Sequence, residues 1–471
     1  MIRRRFLCMP ARAALMFCLA AALSACATMI PRYQRPAAPV ASSYPGASAA
    51  QEPAGGAAAS DIEWQSFFGD ERLQRLLDVA LKNNRDLRVS VLNIEQARAQ
   101  YQVRRADQLP TVGLGATGTR QPDASGGIAG IYTAGLSVTA YELDFFGRVR
   151  SLSAAALAQY LGTEEARKNV QIALISAVAN TYLNLLADDE SLAVTQRTLV
   201  TREDSLKLTR LKFDAGAASE LDYRQAESLL EGARAALAQL LRQRALDENA
   251  LVLLLGQSLP ADLPQARSIS SQKLVNELPV GVPSEVLARR PDVRAAEQQL
   301  LAANANIGAA RAAFFPRITL TGSAGSASNE LSGLFKSGSS AWSFMPQLLL
   351  PIFDAGRNQA NLDVANVNRD IAVAQYEKAI QTAFREVSDS LAGRATLGEQ
   401  LRALEAQANA EAVRFKLADL RYRNGAASYL DVLDAQRSLF AAQLAVVQAQ
   451  AQQLQNQVSL YKALGGGWKA P

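Results

Sequence analysis

The sequence predicts a mainly α-helical chain that carries transmembrane β-strands and is duplicated within itself. Three observations carry that expectation. Apolar residues recur at helical spacing along extended proline-free stretches, as in Val170, Leu174, Val178 and Tyr182. Two strictly alternating segments of about ten residues, the length of a membrane-crossing strand, interrupt the helices. Motifs of the first half recur in the second at one nearly constant offset. Hydrophobic residues make up 49% and aromatics 6%, so the apolar content is mostly Ala, Leu and Val, which suits packed helices.

Residues 1–25 read as a secretory signal. Arg3, Arg4, Arg5 and Arg12 form a basic start, and the apolar run Ala13–Leu23 is too short to span a bilayer. Leu23-Ser24-Ala25-Cys26 resembles a bacterial lipobox, in which the Cys26 thiol takes a diacylglyceryl group and the new N-terminus an acyl chain. Ala27 in place of Asp implies, by the same resemblance, sorting to the outer membrane. Loss of four arginines and no acid takes the formal charge from +5 to +1, so the basic balance argues no nucleic acid partner. Cys8 and Cys18 leave too, and one mature cysteine forms no internal disulfide.

Residues 26–60 hold Pro31, Pro36, Pro39, Pro45 and Pro53 and read as a lipid-anchored extended tether. Leu73, Leu76, Leu77 and Ala80 then mark a helix, and a second runs from about Asp86 to Gln108 before Pro110. The period switches to two over Val112, Leu114 and Ala116, and again from Tyr132 to Leu143, with a turn-rich stretch from Pro122 to Gly127 between. Helix resumes at Gly147-Arg148 and continues to about Phe213, on the order of 100 Å if unbroken. Gly216 breaks it, and Ser219 starts a helix to Leu255-Gly256.

The pattern then repeats. Asp86, Arg105-Ala106 and Pro110 match Asp292, Arg311-Ala312 and Pro316 at an offset of 206. Gly147-Arg148 matches Gly356-Arg357 at 209, and Gly216-Ala217-Ala218-Ser219 matches Gly425-Ala426-Ala427-Ser428 at the same 209. The offset changes only within the hairpin region, where loops absorb length. The predicted organisation is a first repeat over 61–256, a connector over 257–282, a second repeat over 283–465 and a tail over 466–471. Two hairpins give four strands, too few to close in lipid, so the strands demand an oligomer: two copies give eight, three give twelve.

The chain has no histidine, which removes the commonest general base and metal ligand. It also lacks a clustered acid pair flanked by aromatics. Both observations argue against an enzyme.

Trp64 with Phe67 and Phe68, Asn84–Leu87, Tyr141–Gly147, Pro351–Arg357 and Leu460–Trp468 together resemble the TolC/OprM-type outer-membrane efflux factors, in their NodT-like lipoprotein branch. That resemblance implies a homotrimer whose twelve-stranded outer-membrane β-barrel continues as a long periplasmic α-helical barrel. It also implies a passive duct in a tripartite pump. The partners are outer-membrane lipid, a periplasmic adaptor (membrane fusion) protein and an inner-membrane transporter of the RND type. No metal and no cofactor beyond the lipid on Cys26 are implied.

The same resemblance maps Phe213, Gly216, Tyr422 and Gly425 to the adaptor-docking tips. It maps Asp222, Leu430, Asp431, Asp434 and Arg437 to a periplasmic gate. Spacing by four and three puts Leu430, Asp434 and Arg437 on one helix face. The first-copy counterpart of Asp434 is Gln225, so that acid is not duplicated. Ala218 and Ala427 stand where some relatives carry charged or hydroxyl side chains. The competing expectation, a lipid-anchored periplasmic coiled-coil scaffold, explains the helices but not the paired strands.

Overall fold

A computed structural model describes residues 28–45, 59–122, 124, 126–275, 278–280 and 283–468. The expected signal peptide, the lipidation cysteine Cys26, much of the tether and residues 469–471 lie outside the described residues. The elements are α1 (Trp64–Phe67), α2 (Glu71–Asn83), α3 (Arg85–Ala106), β1 (Val112–Pro122), β2 (Ile128–Glu142), α4 (Arg148–Asp214) and α5 (Glu220–Leu255). They continue with α6 (Pro283–Arg289), α7 (Pro291–Ala312), β3 (Arg317–Ser328), β4 (Ser340–Leu349), α8 (Arg357–Arg423) and α9 (Tyr429–Ala463), with short 3-10 turns between some of them. The long helices α4 and α8 have 67 residues each, as the proline-free stretches require. Two compact units result, each drawing on both copies.

The first unit comprises Met1–Ala37, Asn93–Glu164 and Ala295–Glu377. It holds one antiparallel sheet in the order β1-β2-β3-β4. Its two faces differ chemically. Leu114, Leu136, Ala324 and Trp342 lie opposite one another across the four strands, forming an apolar row. Ser137, Ser323 and Ser343 form a polar row on the other face, where the Ser323 and Ser343 hydroxyls bond at 2.8 Å. Such alternation is what a strand between lipid and an aqueous lumen needs. The first hairpin is longer than the alternation suggests: β2 begins at Ile128, not Tyr132, and Pro122 pairs with it as the last residue of β1. Proline is tolerated there because it is the terminal residue of the strand, beside the turn.

The seam between the copies is the β2–β3 ladder, where Gly135 faces Gly325. A Cβ on Gly325 would come within 2.1 Å of the Ala134 carbonyl oxygen, and one on Gly135 within 2.5 Å of the Ala324 carbonyl oxygen. Both obstacles are backbone, so neither side chain can be accommodated by a rotamer change. Each strand pair returns to helix through an Asp and a left-handed glycine. The Asp144 carboxylate accepts from the Val149 and Arg150 amides, and Gly147 has φ 73°. Asp354 does the same for the Gly356 and Asn358 amides, with Gly356 at φ 84°. Arg148 clasps Glu142 through two bonds of 2.7 Å, and Arg317 joins the same carboxylate. The tether's start is not free: Asn304 donates to the Pro31 carbonyl, and Tyr33 and Arg35 both donate to Glu297 of α7.

The second unit comprises Ala38–Leu92, Glu165–Arg294 and Lys378–Pro471. Its core gathers Leu73, Leu76 and Leu77 of α2, Leu183 of α4, Leu255 of α5 and Leu460 of α9. The Phe67 and Tyr461 rings stack at 4.1 Å, and the Tyr461 hydroxyl donates to the Ile62 carbonyl at 2.6 Å. Gly466 lies so near the Tyr461 ring that a Cβ would meet it at 2.1 Å, which explains why that position is glycine. Buried Arg290 ties Asp292, Glu386 and the Ala463 carbonyl together at 2.6–2.8 Å.

Gly325→Ala is expected to weaken the sheet by about 1–3 kcal/mol or more through overpacking. Gly322→Ala, whose nearest contact is an ordinary 3.4 Å, is the matched control. Heat-modifiability of the folded oligomer on semi-native gels reads the difference; equal resistance of the two variants would refute the seam argument.

Candidate functional site at the helical hairpin tips

The two helical hairpins of the second unit end in the same local structure, written by the same residues. At the first tip the Gly216 amide bonds the Phe213 carbonyl and the Ala217 amide bonds the Lys212 carbonyl. At the second, Gly425 bonds Tyr422 and Ala426 bonds Arg421. This paired 5→2 and 6→1 pattern is a Schellman cap, and it needs a left-handed residue. Gly216 and Gly425 supply it at φ 74° and 73°. Nothing lies within 4 Å of the Cβ position of either, so conformation and not space selects glycine.

The next helix starts with a capping box in both copies. Ser219 and Asp222 exchange bonds at the head of α5, and Ser428 and Asp431 do so at the head of α9. The Asp222 and Asp431 carboxylates therefore already serve as N3 partners, stabilising the helix starts by charge and by hydrogen bonding. The expected gate acids at these positions have this structural role whatever else they do.

The rings beside the glycines join the tips. Tyr422 packs on Tyr429 with centroids 5.1 Å apart, and the Lys212 ammonium lies 4.0 Å over the Tyr422 ring. Phe213 stacks on Tyr223 at 5.8 Å and remains exposed. A small core of Ala226, Tyr429, Val432 and Leu433 lies just inside. Leu430 is 55% exposed, so it belongs to the surface and not to that core.

Asp434 is not an isolated acid. Arg414 of α8 pairs with it, and Arg437 approaches it at 3.8 Å. Arg414 also holds Glu411 at 3.1 Å and Ser438 at 3.5 Å. Spacing brought Leu430, Asp434 and Arg437 to one helix face; Arg414 comes from another helix, and no spacing on α9 announces it. The pair is about half exposed, a setting in which such bonds contribute a few tenths to one kcal/mol.

Farther from the tips, Asp188 of α4 sits beside Asp247 of α5. Burial, with Asp247 and Asp189 adding negative charge against Arg244, pushes the Asp188 carboxyl up to about 7. Among the described residues no group of three or more His, Cys, Asp or Glu is placed to hold a metal ion.

A four-stranded membrane-type sheet and duplicated helical hairpins, joined through Asp-Gly corners, define an outer-membrane duct component. The sequence profile of the family described as "Outer membrane efflux protein" matches residues 76–257 and 282–466. The solvent efflux pump outer membrane protein SrpC of Pseudomonas putida is 50% identical over 450 residues, covering 94% of this chain and 95% of the relative. OprJ of Pseudomonas aeruginosa is 50% identical over 457 residues, covering 96% of this chain and 95% of that protein. The open-state crystal structure of the MtrE outer membrane channel of Neisseria gonorrhoeae superposes with a TM-score of 0.86 at 43% identity, covering 94% of this chain and 99% of that one. The chain belongs to the outer membrane efflux protein family, and it is a channel component of the outer membrane with the TolC-type fold.

The pH dependence of the helix pair follows from Asp188. Its folded-state pKa lies above the ordinary carboxyl value, so folding favours its protonated form. The resulting stability is full below about pH 4 and is lost as pH rises through 7. Amide hydrogen exchange around residue 188 is expected to quicken, beyond its intrinsic rise, between about pH 4 and pH 7. Asp188→Asn should flatten that dependence; an unchanged profile would contradict the assignment.

Proposed function

We propose that the chain works as a homotrimer that forms the exit duct of a tripartite efflux pump. Three four-stranded sheets close a twelve-stranded barrel, and the long helices continue it into the periplasm. The observation that carries this reading is the sheet itself. Its β1 and β4 edges have no partner within the chain, and hydrocarbon cannot hold unpaired backbone edges. A periplasmic adaptor docks at the tips marked by Phe213, Gly216, Tyr422 and Gly425. An inner-membrane transporter of the RND type supplies the energy and selects drugs, toxic solutes or metabolites. SrpC is named for solvent efflux, and apolar toxic solutes are the corresponding cargo here. The duct catalyses nothing and needs no cofactor beyond the acyl groups on Cys26, which hold it to outer-membrane lipid.

The resting aperture lies one turn inside the second tip. Asp434 and Leu430 form rings in the trimer, Arg437 and Arg414 hold Asp434, and Asp431 and Asp222 add negative charge at the helix starts. A carboxylate ring at a constriction favours cations. Support comes from the half-exposed position of Asp434 and from its clamp by an arginine of the neighbouring helix.

Planar-bilayer recordings check the gate. Asp434→Ala is expected to lower cation preference and raise resting conductance, and Arg414→Ala to raise conductance with the acid retained. Unchanged conductance and selectivity in both variants would sink the gate without touching the trimer. The partners are read separately, by photo-crosslinking from Ala217 and Ala426 in cells: adaptor adducts at both tips are expected, and their absence would count against docking there.

A further inference from the structure

The strap that follows Cys26 is held at measured points along α7. Tyr33 and Arg35 reach Glu297, and Asn304 donates to the Pro31 carbonyl. At Gly308 a Cβ would meet the Ile30 backbone nitrogen at 2.8 Å, so the strap lies directly on the helix there. From Glu297 to Gly308 a helix rises about 16 Å, and from Arg35 to Ile30 an extended chain covers about 17 Å. The strap therefore runs straight and antiparallel to α7, toward the point where that helix gives way to β3. Only the second copy is built to hold it. At the offset of 206 the first copy has Val91, Arg98 and Gln102 where the second has Glu297, Asn304 and Gly308.

At that end the strap meets a hollow of about 600 Å³. Thr28, Met29 and Ile30 line it on one side, and Arg311, Phe314, Phe315 and Leu362 on the other. Phe315 stacks on Phe146 with centroids 4.8 Å apart, yet Phe314 and Phe315 remain 39% and 41% exposed. Their first-copy counterparts are Gln108 and Leu109, so the paired rings belong to the copy that carries the strap. Arg311 is exposed and forms no ion pair among the described residues. The hollow thus offers rings and aliphatic carbon for methylenes, and a guanidinium that donates to an ester or amide carbonyl. Pro316 and β3 follow at once, which places it at the foot of the membrane sheet. Two residues of chain reach no more than about 7 Å, so whatever the Cys26 thiol carries begins beside Thr28.

We propose that this hollow is a lipid-binding site that seats the ester and amide linkages of the Cys26 lipid, with its first methylenes against Phe314 and Phe315. The proposal rests on the reading of Cys26 as lipidated and adds where the lipid goes: it packs on its own chain instead of dispersing in the bilayer. The strap is then a ruler. Its fixed length along α7 holds the lipid level with Pro316, and so sets the height of the periplasmic leaflet against the sheet.

The test uses the full-length protein in intact outer membranes. Phe314→p-benzoylphenylalanine keeps the ring and adds a photoreactive ketone. The control carries the same probe in place of Val364, which is exposed and lies about 200° around α8 from Leu362. After irradiation and digestion, mass spectrometry of the N-terminal peptide reports whether Cys26 is lipidated and whether its lipid is joined to the probe. The expected result is a lipidated Cys26 captured several-fold more often from position 314 than from position 364. If the first variant does not reach the membrane, Leu362→p-benzoylphenylalanine probes the same hollow. A lipidated Cys26 with equal or no capture at the two positions would overturn the seat and leave the anchor reading intact. So would capture at position 314 of free phospholipid or of a neighbouring copy in its place. An unlipidated Cys26 would overturn the seat and the anchor together, while the duct reading is judged by conductance.

Discussion

A backbone edge cannot be left open in hydrocarbon, and that constraint organises this chain. Each unpaired N–H or C=O costs several kcal/mol where water is absent. Duplication solves half the problem, because it turns two hairpins into one sheet by pairing β2 with β3. The seam is close: opposed glycines at 135 and 325 bring backbone to backbone where any side chain would strike a carbonyl. What remains is one edge at β1 and one at β4, which only other copies can complete. The rest of the architecture then follows from what leaves the sheet. Each hairpin must pass into helix within a few residues, and the Asp-Gly corners at Asp144–Gly147 and Asp354–Gly356 make that change by capping the first helical turn.

Much of this was legible in the sequence because it is local. Schellman caps, capping boxes and left-handed corners are decided by residues within a few positions of one another. Gly216, Gly425, Ser219 and Ser428 were therefore readable as helix ends, and α4 and α5 end where expected. The hairpin limits were less legible. Alternation marked Val112 to Ala116 and Tyr132 to Leu143, yet pairing carries β1 to Pro122 and starts β2 at Ile128. A proline and a glycine-rich turn look like loop until the partner strand is known.

The long-range partners were not legible at all. Arg414 meets Asp434 from a different helix, and nothing on α9 predicts it. The proline-rich residues after Cys26 read as a lipid-anchored extended tether, and no residue of that stretch announces its partner. Yet Tyr33 and Arg35 bond Glu297 more than 260 positions away, which is why that stretch holds an extended course along α7. Asp222 and Asp431 were legible as acids at the tips. Their engagement in capping boxes required the geometry, because an acid three residues after a serine can equally point to solvent.

The two copies diverge where the local rules stop. Glycine turn, serine cap and capping acid recur at the constant offset of 209, and these are the parts that each hairpin needs to exist. A few turns inside, the same offset pairs Arg202 with Glu411, Ser205 with Arg414 and Gln225 with Asp434. The second copy thus carries an acid–base–acid set that satisfies itself, with Arg414 between Glu411 and Asp434. The first copy carries a lone buried cation at the corresponding height. Equivalent backbones thus hold non-equivalent charge a few turns inside tips that are written by the same residues.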